Sequence, residues 1–407
     1  MSEDAGRGTH PTRRDYVKYG GALVGGGLLA GCTGATETSD GPTTDRSAGT
    51  TTETETETPA DGSYTVSMSP VGDVEFESVP ESVFTRLTHH ADMAFALGRG
   101  DAVNAMHAPD YYDALWNQFV ERLPGVTLDW TGLYSSWDVS KEKLYELDSD
   151  VHLADPASVL QLGTWSTADL DEVDDNIGPW FGNSFSARHQ TPPADWPGEY
   201  EYYGLWEQFE TVAEVFQAGD RYDALAEIHA ELLGTIEAEL PSESERPTAV
   251  MIGSSDVEGD IYAYTLSNPG FLTAHTRPLE PVDAFEGSVE SGTIVDLETL
   301  LEADPDVMLM LGGMLPSTDM GEIRATLESN AVAAEITAVA EGRVHPQGAR
   351  YQGPILNLFQ LEMTAKQLYP DQFGEWPTYD NGPYPEIAEG ERLFDRERVA
   401  DVITGDF

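Results

Sequence analysis

The chain has 407 residues, enough for two domains that each bury a hydrophobic core. It carries 73 acidic residues against 21 basic ones, a formal net charge of −52, which argues against nucleic acid or an anionic lipid surface as a partner. Apolar periodicity and an aromatic content of 10% persist along most of the chain, so it is not a disordered protein. Such acidity is typical of extreme halophiles, because at molar salt the Debye length is about 3 Å and self-repulsion is screened.

The first 32 residues predict a twin-arginine lipoprotein signal. Arg13 and Arg14 are followed by an aromatic residue and a lysine, as in the twin-arginine export motif. The apolar run at 19–30 is too short to span a bilayer as a helix. It leads into Leu-Ala-Gly-Cys, which resembles a lipobox and contains Cys32, the only cysteine. We expect a lipid on Cys32, rather than a structural or catalytic thiol, to anchor the exported protein to the outer face of the cytoplasmic membrane.

Composition and periodicity divide the rest of the chain. Residues 33–62 are mostly Thr, Glu, Ser, Gly and Pro and predict a disordered tether. Apolar residues at helical spacing over 222–240 predict one long amphipathic helix. The expected units are an N-terminal lobe at 63–205, a bridging helix at 206–241, a C-terminal lobe at 242–375 and a surface tail at 376–407.

An internal repeat supports the two lobes. Residues 144–153 match residues 300–309 at a constant offset of 156. Each copy predicts a helix, a tight acidic turn and a short buried strand. Because alternating strands and helices are typical of α/β proteins, we expect two Rossmann-like lobes with parallel sheets joined by one long helix. Chance similarity between two helix–turn–strand units is the alternative.

These features together resemble the substrate-binding proteins of ABC importers for ferric siderophores, haem and vitamin B12. The resemblance covers residues 83–370 and includes the closing Gly-Arg-Val-His-Pro before a helix and Tyr369-Pro370. It implies the class III periplasmic-binding-protein fold, with the ligand between two rigid lobes and small hinge motion. Ser149 stands where the family usually has proline, and the loops at 178–206 and 256–285 are longer and more aromatic than the family leads us to expect.

The resemblance also implies one glutamate per lobe that meets arginines of the membrane permease, which works with an ATPase. The family motif assigns this role to Glu142 and Glu298, again 156 residues apart. The alternative is that both are solvated glutamates favoured at helix starts by the helix dipole.

Ligands in open α/β sheets bind beyond the carboxyl ends of the strands. Arginines in that region can pair with carboxylate or hydroxamate oxygens, and aromatic rings can pack on a flat chelate or corrin ring. Arginines bonded to neighbouring carboxylates and aromatic residues in the core are the alternatives. The candidate ligand-binding residues are His89, Trp137, Trp165, Arg188, Tyr264, Arg277, Arg350 and Tyr351.

Metal ligation and catalysis are less well supported. His89 and His90 on an extended segment would point in opposite directions, and no His or Cys cluster has metal-ligand spacing. His275 with Tyr262 or Tyr264 is the remaining possibility for haem iron. Nucleophile-elbow and phosphate-loop motifs are absent from the sequence, so we expect a binding protein with no catalytic residues and no cofactor of its own.

The expected ligand is a small-molecule metal chelate. A ferric siderophore ranks first, followed by cobalamin, haem and an oxyanion. Outside this class, the alternatives are a non-catalytic structural protein of the cell surface or a secreted hydrolase.

Overall fold

The computed structural model describes residues 62–194, 196–253, 257 and 259–407. The twin-arginine motif, Cys32 and nearly all of the tether lie outside the described residues. Among the described residues, no helix combines the length and the apolar character needed to cross a membrane.

The N-terminal lobe begins with a hairpin and continues with a parallel sheet. Strands β1 (Tyr64–Met68) and β2 (Gly72–Phe76) pair antiparallel. The next four strands are all parallel and lie in the order β5-β4-β3-β6. Their bounds are Val83–Thr85 (β3), Val103–Met106 (β4), Tyr134–Ser135 (β5) and Val151–Leu153 (β6).

The C-terminal lobe contains a six-stranded mixed sheet, where only parallel pairing was expected. Strands β7 (Thr248–Gly253), β9 (Val282–Asp283), β11 (Val307–Leu311) and β12 (Val344–Pro346) are parallel. Strands β8 (Ile261–Tyr264) and β10 (Thr293–Val295) are antiparallel to their neighbours. Only seven residues separate β7 from β8. Because a parallel crossover needs about a dozen residues or more, this connection requires an antiparallel return.

Thirteen α-helices cover these sheets within the described part of the chain. The N-terminal lobe has α1 (Thr88–Ala96), α2 (Pro109–Val120), α3 (Lys141–Leu147), α4 (Pro156–Leu160) and α5 (Thr167–Asn176). The bridging segment has α6 (Leu205–Val215) and α7 (Gly219–Glu239). The rest of the chain has α8 (Leu297–Ala303), α9 (Met320–Ser329), α10 (Thr337–Ala340), α11 (Pro354–Leu368), α12 (Pro370–Phe373) and α13 (Arg396–Thr404).

The long bridging helix is α7, with 21 residues. It buries Leu225, Ile228, Leu232 and Ile236, whose spacing places them on one helical face. That face packs against α6, α11 and α13 and reaches the turn at Arg277–Leu279 in the C-terminal lobe. The helix predicted from periodicity therefore links the two sheets.

The internal repeat is also a structural repeat. Helices α3 and α8 both have seven residues, and each ends at an aspartate with left-handed backbone, Asp148 (φ 48°) and Asp304 (φ 40°). Two residues later, Asp150 accepts hydrogen bonds from the backbone N–H groups of Glu81 and Ser82 ahead of β3. Asp306 accepts two hydrogen bonds from Thr248 at the start of β7. Each acidic turn thus positions the first strand of the main sheet in its lobe.

Residues 376–407, expected to be a surface tail, contribute to the core instead. Tyr384 is completely buried, and its hydroxyl donates a hydrogen bond to Glu362 of α11. Arg396 forms a buried ion pair with the same carboxylate and lies over the ring of Phe359. The sequence predicted a surface segment because most of its residues are polar. Most of its few apolar side chains, however, face inward and are buried.

Candidate functional site

The two lobes meet along the carboxyl ends of their parallel strands. The hydroxyl of Thr88, in the first turn of α1, donates a hydrogen bond to the carbonyl of Tyr351. The ring of His89 lies 4.6 Å from that of Phe271 in the C-terminal lobe. Any Cβ atom at Gly270 would collide with the carbonyl oxygen of Ala187 in the N-terminal lobe. The backbones of the lobes therefore approach closely here.

We use the name inter-lobe cluster for the arginine and aromatic residues that surround this contact. They come from loops of both lobes, from the first turns of α1 and α2, and from the end of β8. The members are Arg86, His89, His107, Tyr112, Trp137, Arg188, Tyr264, Arg350 and Tyr351.

Arg86 forms the N-terminal wall of the cluster. It follows β3 directly and is 5% exposed. Its Nη1 donates to the hydroxyl of Ser158 at 2.7 Å, and its guanidinium lies 5.5 Å from the ring centre of Trp137. Burial lowers the pKa of Arg86, while the charges of Tyr351 and Asp155 raise it. Sequence reasoning missed Arg86, although its position at the carboxyl end of a buried strand was a usable signal.

Arg350 forms the opposite wall. It lies between β12 and α11, and its guanidinium is 4.0 Å from the ring centre of Tyr264 at the end of β8. Burial and the neighbouring charge of Arg188 lower the pKa of Arg350 to about 10. The guanidinium stays protonated at neutral pH, so the structure holds a partly buried positive charge beside an aromatic face.

Arg188 completes this pair from the N-terminal lobe. It follows the short turn Phe185–Ala187, which contacts the turn Phe271–Thr273 of the other lobe. Its Nε is buried, with no hydrogen-bond partner among the described residues. Within the described part of the chain, neither Arg188 nor Arg350 forms an ion pair with a carboxylate. The two guanidinium groups repel one another, and neither is neutralised by a carboxylate among the described residues.

Tyr112 and His107, whose ring centres are 5.5 Å apart, also belong to the cluster and were not predicted. Burial raises the pKa of Tyr112, and the nearby Tyr351 and Tyr264 raise it further, so it remains a neutral hydroxyl. The ring of His107 lies 4.5 Å from that of Trp137. Burial, reinforced by the charge of Arg86, lowers the pKa of His107 to about 4. The arginines therefore supply the positive charge of the cluster.

The sequence predicted that His89 and His90 lie on an extended segment, and this prediction is wrong. Both belong to the first turn of α1 and are completely buried, and their rings are tilted by 38° with centres 3.9 Å apart. Burial lowers the pKa of His89 well below its ordinary value, and His90 lowers it further. His89 is therefore a neutral residue that packs against Tyr351 and Phe271.

Two of the predicted ligand-binding residues lie outside the inter-lobe cluster and bind other groups. Trp165 donates from Nε1 to the carbonyl of Val139 at 3.1 Å and lines a 510 Å³ surface cavity together with Glu142. Arg277 donates from Nη1 to the carbonyls of Asn268 and Gly270, both at 2.8 Å, and so stabilises its own loop. The remaining six of the eight candidates belong to the inter-lobe cluster.

The histidine suggested for haem iron is completely buried, with one ring nitrogen hydrogen-bonded and the other, Nε2, without a partner among the described residues. Nδ1 of His275 lies 2.6 Å from the amide nitrogen of Gln352. Burial, with the charge of Arg350, lowers the pKa of His275 to about 3. Among the described residues, no group of three or more His, Cys, Asp or Glu side chains is arranged to hold a metal ion.

Glu142 and Glu298 occupy equivalent positions. Each is exposed and lies in the first turn of its helix, α3 or α8. The helices begin after N-caps whose side chains accept backbone hydrogen bonds, Ser140 and Asp296. The structural repeat thus presents one exposed carboxylate on each lobe.

Comparison with known proteins gives the family. The sequence profile described as periplasmic binding protein matches residues 131–349, more than half of the chain. No curated protein matches the sequence.

Solved structures share the fold at low sequence identity. A periplasmic binding protein from Veillonella parvula is 14% identical, with a TM-score of 0.53 over 80% of this chain and 95% of that one. The periplasmic haem-binding protein HutB of Vibrio cholerae is 12% identical, with a TM-score of 0.51 over 71% and 100%. The catecholate-siderophore-binding protein VctP of Vibrio cholerae is 15% identical, with a TM-score of 0.51 over 75% and 99%. The two-lobed fold expected from the sequence is confirmed, and the chain belongs to the periplasmic binding protein family.

Proposed function

We propose that this protein is the extracytoplasmic solute-binding component of an ABC importer and captures a ferric siderophore between its lobes. The observation that carries this proposal is the convergence of Arg188 and Arg350 from opposite lobes beside Tyr264. Arginine pairs suit anionic catecholate or hydroxamate oxygens, and aromatic faces suit the flat groups of a chelate. Delivery to a membrane permease and its ATPase follows from this role.

Among chelates, we favour an anionic one. Arg86, Arg188 and Arg350 form no ion pair with a described carboxylate, so a ligand carrying several negative charges would gain most from this site. The structurally similar VctP binds catecholate siderophores, which agrees with this choice.

Haem and cobalamin remain alternatives within the same family. HutB, which has the same fold, binds haem. His275, the histidine considered for haem iron, is completely buried, so iron could reach its Nε2 only if the surrounding side chains moved. The proposed action is binding and release without chemical conversion of the ligand.

We propose that the protein reaches its site by the twin-arginine route and is held there by a lipid on Cys32. The Arg13-Arg14 pair and the following Leu-Ala-Gly-Cys support this localisation. The net charge of −52 supports an origin in an extreme halophile. Glu142 and Glu298, one exposed glutamate on each lobe, are the proposed contacts for arginines of the permease.

The test is a ligand panel on the full-length chain in molar potassium chloride. Thermal unfolding is measured with a ferric tris-catecholate, a ferric hydroxamate, cyanocobalamin and haemin, and with the iron-free form of each chelator. A ligand at a hundredfold excess over its Kd adds about 2.7 kcal/mol to the unfolding free energy, which raises the melting temperature measurably.

We expect a shift with at least one ferric chelate and a smaller one with its iron-free form. A shift with cobalamin or haemin alone would replace the siderophore assignment while keeping the binding role. No shift with any of the four ligands would contradict a role in chelate uptake.

A further inference from the structure

Residues 376–407 cross from one lobe to the other after the bridging helix has already joined them. Their first attachment is to the C-terminal lobe. The side-chain amide of Asn381 donates to the carbonyls of Pro316 at 3.0 Å and Thr318 at 2.7 Å. Asp380 forms an ion pair with Arg324 of α9, and its carbonyl accepts from the N–H of Met320 at 2.7 Å.

The second attachment is to the N-terminal lobe, only three residues further on. The backbone N–H of Tyr384 donates to the carbonyl of Gln118 at 2.7 Å, and its carbonyl accepts from Arg122. The Tyr384 ring is completely buried, 5.7 Å from the ring of Phe119 on α2. The ring also lies 5.1 Å from that of Phe359 on α11, so α2 and α11 together bury this aromatic side chain.

The last part of the segment is fixed to the bridging helix. Arg398 of α13 pairs with Glu227 and Glu231 on α7. In the other direction, Arg221 of α7 donates to the carbonyls of Val402 and Ile403. These contacts hold the C-terminal end of the segment on the bridging helix.

We propose that residues 376–407 form an inter-lobe strap that limits how far the two lobes separate. Three extended residues reach about 10 Å at most, which sets the greatest distance between the anchors at Asn381 and Tyr384. The lobes can open beyond that distance only by releasing the hydrogen bonds of Asn381 or extracting the ring of Tyr384. The strap thereby keeps Arg188 and Arg350 near one another and reduces the conformational cost of ligand binding.

The experiment measures lobe separation without ligand, so its result does not depend on the proposed cargo. In a Cys32→Ser full-length background, Asp171→Cys on α5 and Glu302→Cys on α8 provide exposed labelling positions, one on each lobe. Pulsed electron paramagnetic resonance gives the distance distribution between the two labels. The anchor to the C-terminal lobe is cut by Asp380→Ala with Asn381→Ala, both exposed residues. The anchor at Tyr384 is cut by Tyr384→Ala, which removes the buried ring. Circular dichroism checks that each variant is folded.

We expect each cut to shift the distribution to longer distances and to broaden it. The two cuts together should give little more than either alone, because the anchors act in series on one strap. The control is Glu280→Ala, which removes an ion pair with Arg246 that the strap does not share and should leave the distribution unchanged. The proposal would be overturned if the folded anchor variants gave the same distribution of label-to-label distances as the parent.

Discussion

The guanidinium of Arg350 lies 4.0 Å from the centre of the Tyr264 ring and feels the charge of Arg188 from the other lobe. In a chain of net charge −52, carboxylates are abundant, yet no described carboxylate pairs with either arginine. This arrangement distinguishes the inter-lobe cluster from the ion pairs on the surface.

Replacing either arginine should weaken the binding of an anionic chelate. Arg350→Gln and Arg188→Gln each remove charge-assisted hydrogen bonds worth about 1.5–3 kcal/mol, a loss of roughly 10- to 150-fold in affinity. Equilibrium titration with the chelate identified by the panel measures this. The matched control is Arg398→Gln, which removes a guanidinium paired with Glu227 and Glu231. Equal affinities for all three variants and the parent would contradict the assignment of the arginines.

Glycine at position 270 should be required for the contact between the lobes. Gly270→Ala places a methyl group against the carbonyls of Ser186 and Ala187, and overpacking of this kind costs about 1–3 kcal/mol beyond backbone strain. Gly382→Ala controls for the strain, because Gly382 has φ +105° against +108° for Gly270 and open space around it. Chemical denaturation compares the two variants. A loss of stability no greater for Gly270→Ala than for Gly382→Ala would disprove the close contact.

Asp92 should make folding depend on pH between about 4 and 7. This side chain is completely buried on α1 and accepts a hydrogen bond from the N–H of Leu356 at the start of α11. Burial raises the pKa of Asp92 from 3.8 to about 7, although the backbone N–H of Leu356 opposes the shift. Because the folded state then holds its proton more tightly than the unfolded state, the contribution is full below pH 4 and is lost as the pH rises towards 7.

The test compares Asp92→Asn with the parent at constant salt. The asparagine keeps an acceptor for Leu356 but cannot ionise, so its unfolding free energy should fall less steeply over this range. The difference in slope should approach, at most, about 1.4 kcal/mol per pH unit. Parallel stability curves for the two proteins from pH 4 to 7 would show that Asp92 does not titrate there.

Charge reversal at the two equivalent glutamates should separate transport from binding. The Glu142→Lys and Glu298→Lys double variant should lose chelate uptake in cells, because the proposed arginine contacts of the permease become repulsive, and should keep its affinity for the chelate. Glu146→Lys with Glu302→Lys is the control, since these exposed residues lie on the same two helices and are also 156 residues apart. Normal chelate uptake by the Glu142→Lys, Glu298→Lys variant would contradict the proposed contact of these glutamates with the permease.

Local patterns in the sequence were sufficient for much of the fold. The 3.6-residue periodicity at 222–240 predicted α7, and the offset of 156 predicted that helices α3 and α8 are equivalent. These features depend on residues close together in the chain. Burial of one helix face and the residue preferences of a tight turn both produce a regular spacing of residue types in the sequence.

The composition of the candidate site needed the tertiary structure. Arg188 and Arg350 are 162 positions apart, and only the docking of two loops brings their charges together. For the same reason, Arg86 was missed, whereas Trp165 and Arg277 were included although they contact other groups.

The sequence alone determined the extreme negative charge, the two-lobed repeat and the helix between the lobes, because composition and short-range periodicity carry that information. Only the tertiary structure decided which arginines lie near one another. It also decided that Tyr384, in a polar segment of the sequence, is completely buried. Contacts between distant residues depend on how the sheets and helices pack, and no local spacing encodes that packing.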